Sequence, residues 1–198
     1  RRGYSGFRTA EVGAVAGVSR GAQLHHFPSK ESLVLATIEY AFNLAASEGR
    51  RRARRAASDI ENPLDAIIED TREFFFGDYF FVSLDVVMAA AKDKKFREKI
   101  FTIARESRIP VEQAWLDVLL KSGLSEERAE DLLWLTVSIV RGLAIRSLWQ
   151  NDPERFDRLL DLWRELFWGY VKGQSSRARG PGGEAARRLP DRSTRKAG

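Results

Sequence analysis

The chain contains no cysteine, which excludes a disulfide-stapled scaffold and any thiolate metal site and suits a reducing compartment. It has only two histidines, adjacent at 25 and 26 rather than spaced to share one helix face, so no metal centre and no cofactor are expected. The longest apolar run, residues 132–140, is far too short to span a bilayer, and no signal-peptide pattern is visible. No segment alternates apolar and polar residues between turn signals, so strands are not expected. Without a glycine-rich phosphate loop after a strand or a histidine–carboxylate metal spacing, no enzymatic function is expected either.

What remains is an ordinary globular composition, 43% hydrophobic and 31% charged over 198 residues, enough for one or two cores. The net charge of +5 conceals a polarity along the chain. Residues 1–57 carry +6, residues 58–173 carry −6, and residues 174–198 carry +5. A basic head attracted to phosphates and an acidic body repelled by them is the pattern expected when DNA touches one end.

The richest local signals lie between residues 9 and 33. Thr9 before the run Ala10 to Ala16, with Glu11 in its first turn, predicts an N-capped two-turn helix. Gly17 ends it where a left-handed residue is needed, and Val18 is expected to anchor the turn in a small core. Ser19 caps the next helix, Arg20 to about Phe27, which Pro28 stops. Ser29 then caps a long helix from Lys30 to about Ala57, apolar at Leu33, Leu35, Ile38, Phe42 and Ala45. Helix, tight turn and second short helix form the layout with which a helix-turn-helix protein enters a major groove.

The turn Gly17-Val18-Ser19, the pair His26-Phe27 and the run Lys30-Glu31-Ser32-Leu33 resemble the TetR family of bacterial repressors. The match is specific over residues 3–42, architectural over 63–171, and does not extend past Gly173. It departs from the family at Leu24, where a tyrosine is usual, and at Gln23, where an apolar core residue is usual. The chain begins at Arg1 without a methionine, and the family's first amphipathic helix, or most of it, is expected to be missing. The resemblance implies that Thr9, Arg20, Gly21, Leu24, His25, His26 and Lys30 meet double-stranded operator DNA. Arg20 would read a guanine edge, Leu24 a thymine methyl, His25 the groove, and His26 a phosphate or the packing beside it. Lys30 would anchor a phosphate at a helix N-terminus, and Thr9 would serve the neighbouring strand or act simply as a cap.

Further helices are predicted from Asn62-Pro63 to Gly77, from about Tyr79 to Ala91, and from about Asp93 to Ser122 with a bend at Pro110. Ser125 opens a helix to about Gln150 that is apolar nearly all round, and Asp152-Pro153 opens a last one with a wide aromatic face. These two are expected to pair with their copies in a homodimer, the plainer alternative being a thick monomer core. The body is thus all-α. The expected domains are a helix-turn-helix head (1–49), a helical effector-binding and dimerisation domain (50–173), and a disordered basic tail (174–198).

The aromatic run Phe74 to Phe81, with Phe75, Tyr79, Trp115 and Trp134, is expected to line a cavity for a small apolar or aromatic effector, or else to be plain core. Asp85 shares a helix face with Phe81, Leu84 and Met88 and needs a partner, which Arg141 or Arg146 is expected to supply unless one of them meets the ligand. The function that follows is a cytoplasmic, ligand-released repressor reading a near-palindrome as a dimer, without a membrane partner. The alternative is a helical interaction module with a degenerated DNA-binding head.

Overall fold

The computed structural model describes residues 3–58, 62–90 and 93–178, with side chains as far as residue 173. All regular elements among these residues are α-helices. The head holds α1 (Gly3–Gly6), α2 (Thr9–Val15) and α3 (Arg20–His26), and it continues into α4 (Lys30–Ala56). The body adds α5 (Pro63–Phe75), α6 (Asp78–Ala89), α7 (Lys94–Lys121) and α8 (Glu126–Arg146). The last helix, α9 (Pro153–Ala178), belongs to a second compact unit, Pro153–Gly198, distinct from Arg1–Asp152.

The local signals of the head act as their chemistry dictates. Gly17 takes the left-handed conformation at φ +67°, and the Ser19 hydroxyl accepts from the Ala22 N–H at 3.2 Å. Ser29 and Ser32 form a reciprocal capping box at the start of α4, with N–H to Oγ distances of 3.0 and 3.1 Å. Thr9 is not the cap of α2: Arg8 occupies that position in extended conformation, without a side-chain bond, and Thr9 is the first helical residue. Val18, expected in the core, is 47% exposed, because the turn projects it outward while Gln23 fills the space beneath.

Gln23 replaces an apolar side chain without leaving its amide unsatisfied. It is buried, and its Nε2 donates to the Thr9 carbonyl oxygen at 2.7 Å. Room for it comes from Gly13, since a Cβ there would stand 2.8 Å from the Gln23 Oε1. The polar residue and the small residue facing it therefore lock α3 onto α2 with Gln23 inward. The rotation of α3 follows: Arg20, Gly21, Leu24 and His25 occupy the outer face.

Helix α4 crosses residue 49 without interruption, so head and body share one rigid element. Its first half joins a core of Val34, Ile38, Phe42, Val86, Ala90, Phe96 and Ile100, with Tyr4 and Phe7 of the head packed against it. Its second half lies against α5 and α7. Pro110 lies within α7, which continues through it. Helix α8 ends at Arg146, short of the expected Gln150. It buries Leu132, Leu133, Val140 and Leu143 while Trp134 and Leu135 remain exposed. Taken by itself, α9 carries an exposed apolar stripe of Leu159, Leu162, Leu166 and Tyr170. Helix α9 also runs five residues into the segment 174–198 expected to be tail; residues 179–198 lie outside the described residues. No helix among the described residues is long and apolar enough to cross a membrane.

Candidate nucleic-acid interface and effector cleft

The outer face of α3 is built for contact. Arg20, Gly21, Leu24, His25 and His26 are all exposed, while Gln23 and the half-buried Phe27 hold the opposite side to the head. The His25 and His26 rings meet edge-on at 5.2 Å, and no group of metal ligands occurs among the described residues. Thr9 is half-buried at the first position of α2.

Lys30 sits at the first position of α4, with its Nζ 2.6 Å from the Tyr4 carbonyl oxygen and 4.2 Å from the centre of the Tyr4 ring. An ammonium has three donors, so this bond orients the group and leaves two N–H vectors for another acceptor. Burial, with Glu31 and Asp93 nearby, raises the Tyr4 phenol above its usual range, so it stays neutral beside the cation.

In the body, a cleft of about 600 Å³ opens between α4, α5 and α6. Ala41, Leu44, Ala45, Phe74, Gly77 and Tyr79 supply its apolar lining, and Glu48, Asp70, Glu73 and Asp78 supply carboxylates. Glu48, Glu73 and Asp70 are engaged by other side chains of the protein. Glu48 accepts from Arg51 and Arg52, Arg52 also bonds Glu73, and Asp70 accepts from the Trp115 Nε1 at 3.0 Å. The hydrogen bond from Arg51 lowers the Glu48 carboxyl below its ordinary range. Burial raises the Asp70 carboxyl, against the opposing pull of Arg108 and Trp115. Burial likewise lowers Arg108, whose Nη2 lies 3.9 Å from Asp70 and whose guanidinium stacks 4.3 Å above the Phe74 ring.

Of the residues expected to line an effector site, Phe74 and Tyr79 line this cleft. Phe75 is instead core, buried and edge-on to Phe80 at 4.9 Å. Trp115 is core as well, 1% exposed, because its indole N–H has found Asp70. Trp134, 68% exposed, and Arg141 border a separate small groove between α7 and α8. Asp85 pairs with neither arginine: its Oδ2 accepts from the Tyr4 N–H at 2.6 Å at the joint between α1 and α6. Arg141 reaches toward Ser138, and Arg146 bonds Gln150. The arginine run at the end of α4 is partly tied down through Arg51 and Arg52.

Sequence reasoning missed Asp70, Glu48 and Glu73 as cleft residues. The one available signal for Asp70 was its place beside the apolar residues Ile67 and Ile68 of α5, but its partners come from a distant helix.

A helical body carrying an exposed recognition helix on a glycine turn defines a helix-turn-helix transcriptional regulator. The sequence profile of bacterial regulatory proteins of the tetR family matches residues 1–37. The chain is also 45% identical over 170 residues to the HTH-type transcriptional regulator CymR of Pseudomonas putida, covering 84% of this chain and 83% of that relative. The chain therefore belongs to the tetR family. No solved structure matches it.

Proposed function

We propose that the protein is a ligand-released repressor that binds a near-palindromic operator as a homodimer in the cytoplasm. The observation that carries this reading is the outer face of α3, where Arg20, Gly21, Leu24 and His25 stand exposed while Gln23 is held inward. Arg20 reads a guanine edge and Leu24 a thymine methyl, His25 faces the groove, and His26 and Thr9 approach the phosphates. Two copies pair through the apolar faces that α8 and α9 each leave exposed, presenting two heads to successive major grooves.

The α4–α5–α6 cleft supports the effector role, with an apolar lining sized for a small apolar or aromatic molecule. Its occupation moves α4, and with it the spacing of the heads. Binding-site selection from a random duplex pool tests the reading. A near-palindrome is expected, and small apolar and aromatic molecules are then screened for release of the selected DNA. Enrichment of no sequence by a folded dimer would move the interaction-module alternative to the front.

Lys30 gives a separate check on the interface. It acts as a phosphate anchor, oriented by the Tyr4 carbonyl. Lys30→Ala is expected to weaken all duplexes alike and to reduce the slope of log affinity against log salt by about 1 for each phosphate it no longer neutralises. Fluorescence anisotropy across a salt series measures it, and an unchanged slope would remove Lys30 from the DNA surface.

A further inference from the structure

Helix α4 lies close against the body at Gly49. A Cβ at this position would stand 2.8 Å from the Val111 Cγ1 of α7 and 2.9 and 3.2 Å from the two carboxylate oxygens of Asp70 on α5. Three helices thus converge on one residue without a side chain, and only glycine lets them approach so far. One of the groups pressed against it, Asp70, also forms part of the effector cleft wall. That carboxylate is buried and held from behind by the Trp115 indole N–H.

We propose that Gly49 is the fulcrum of the α4 lever, and that Asp70 is a positioning residue forming the stop against which α4 bears. This rests on the effector-release reading and names the place where cleft and lever meet. From Gly49 to Ala56 the short arm is tied down, because Arg52 bridges Glu48 on α4 to Glu73 on α5. From Gly49 back to Lys30 the long arm spans about 28 Å at 1.5 Å per residue. Along that length it is held by the apolar cluster around Val34, Ile38 and Phe42 and by two polar ties to α7, Lys99 to Glu31 at 2.9 Å and Ser107 to Asn43 at 3.1 Å. A ligand touching Leu44, about 7 Å from the fulcrum, has its displacement enlarged about fourfold at Lys30 by the ratio of the arms. A ligand that displaces the Asp70 carboxylate shifts the pivot itself.

The absence of native cysteine makes the test direct. Spin labels are placed in the full chain at Val15→Cys on α2, which is exposed in the head, and at Lys121→Cys at the end of α7. The doubly labelled chain is diluted into excess unlabelled protein so that only distances within one chain are read. Gly49→Ala is expected to shift the mean head-to-body distance by about 2 Å or more, since the pushed-apart helices move the head at the end of a long arm. It is also expected to lower affinity for the selected operator at least tenfold while leaving the salt slope unchanged. Adding Val111→Ala should restore both in part, because it removes the methyl groups that the new Cβ meets on α7 while the Asp70 carboxylate on α5 stays in place.

A folded Gly49→Ala protein with an unshifted distance would overturn the fulcrum, as would a shifted distance with unchanged operator affinity or a failure of Val111→Ala to reverse any part of the effect. Should Gly49→Ala not fold, Val111→Ala alone loosens the pivot and is expected to widen the distance distribution; an unchanged distribution would refute the proposal. The distance measurement uses neither operator nor effector. Failure of site selection would therefore count against the DNA reading, and an unmoved head against the fulcrum.

Discussion

Replacing Trp115 by alanine is expected to lower the unfolding free energy by about 3–5 kcal/mol, the range for truncating a fully buried large aromatic. Trp115 is among the largest fully buried side chains of the described residues, and it lies on α7 near the convergence with α4 and α5. Two losses combine. The cavity forfeits the dispersion attraction of the indole, and the buried Asp70 carboxylate loses its hydrogen-bond donor. Trp115→Phe separates them by keeping most of the volume and removing the N–H, and it is expected to cost about 1–3 kcal/mol. Denaturant unfolding at fixed protein concentration measures both, because the stability of a dimer depends on concentration. An alanine variant less than about 1 kcal/mol below the parent would mean that the site collapses around the loss.

The phenylalanine variant has a pH signature. The folded Asp70 carboxyl is already raised by burial, so its ionised form costs stability as the pH rises through the folded pKa. Removing the indole N–H, which favours the ionised form, makes that cost larger. The deficit of Trp115→Phe is therefore expected to be greatest at neutral pH and to shrink below the ordinary carboxylate range, where Asp70 is protonated in both proteins. A deficit independent of pH would show that the Trp115–Asp70 bond does not discriminate between protonation states.

Arg20→Ala is expected to reduce operator affinity by about 1–3 kcal/mol per half-site, roughly 5- to 150-fold, with the loss concentrated at one base-pair position. Arg20 opens α3 on its outer face, where a guanidinium can pair with a guanine in bidentate fashion. The contrast with Lys30→Ala is diagnostic: the arginine variant should relax preference at one position, and the lysine variant should weaken every sequence alike. Repeating the selection with the variant measures this directly. A loss spread evenly over all positions would make Arg20 a phosphate contact instead.

The head was legible because its determinants are short-range. Gly17, Ser19, Ser29 and Pro28 act on neighbours within about one helical turn, and three of the expected features, the left-handed glycine and the two serine caps, are present. Thr9 slipped by one position because a cap and the first helical residue differ only in backbone conformation. The body was legible as helices but not as a site. Phe74 and Tyr79 face the cleft while their neighbour Phe75 does not, a difference set by which helix covers each ring rather than by residue type.

The amino-acid sequence by itself determined an all-α regulator with a DNA-reading head, since caps, turns, helical periodicity and charge polarity are encoded within a few residues of where they act. Only the tertiary structure decided the long-range partnerships. Gln23 with the Thr9 carbonyl, Asp85 with the Tyr4 N–H, Asp70 with Trp115 and Arg108, and Gly49 against Val111 join residues 14 to 81 positions apart or on different helices. A buried polar group accepts whichever complementary partner the packing brings within about 3 Å, and no local pattern specifies which that will be.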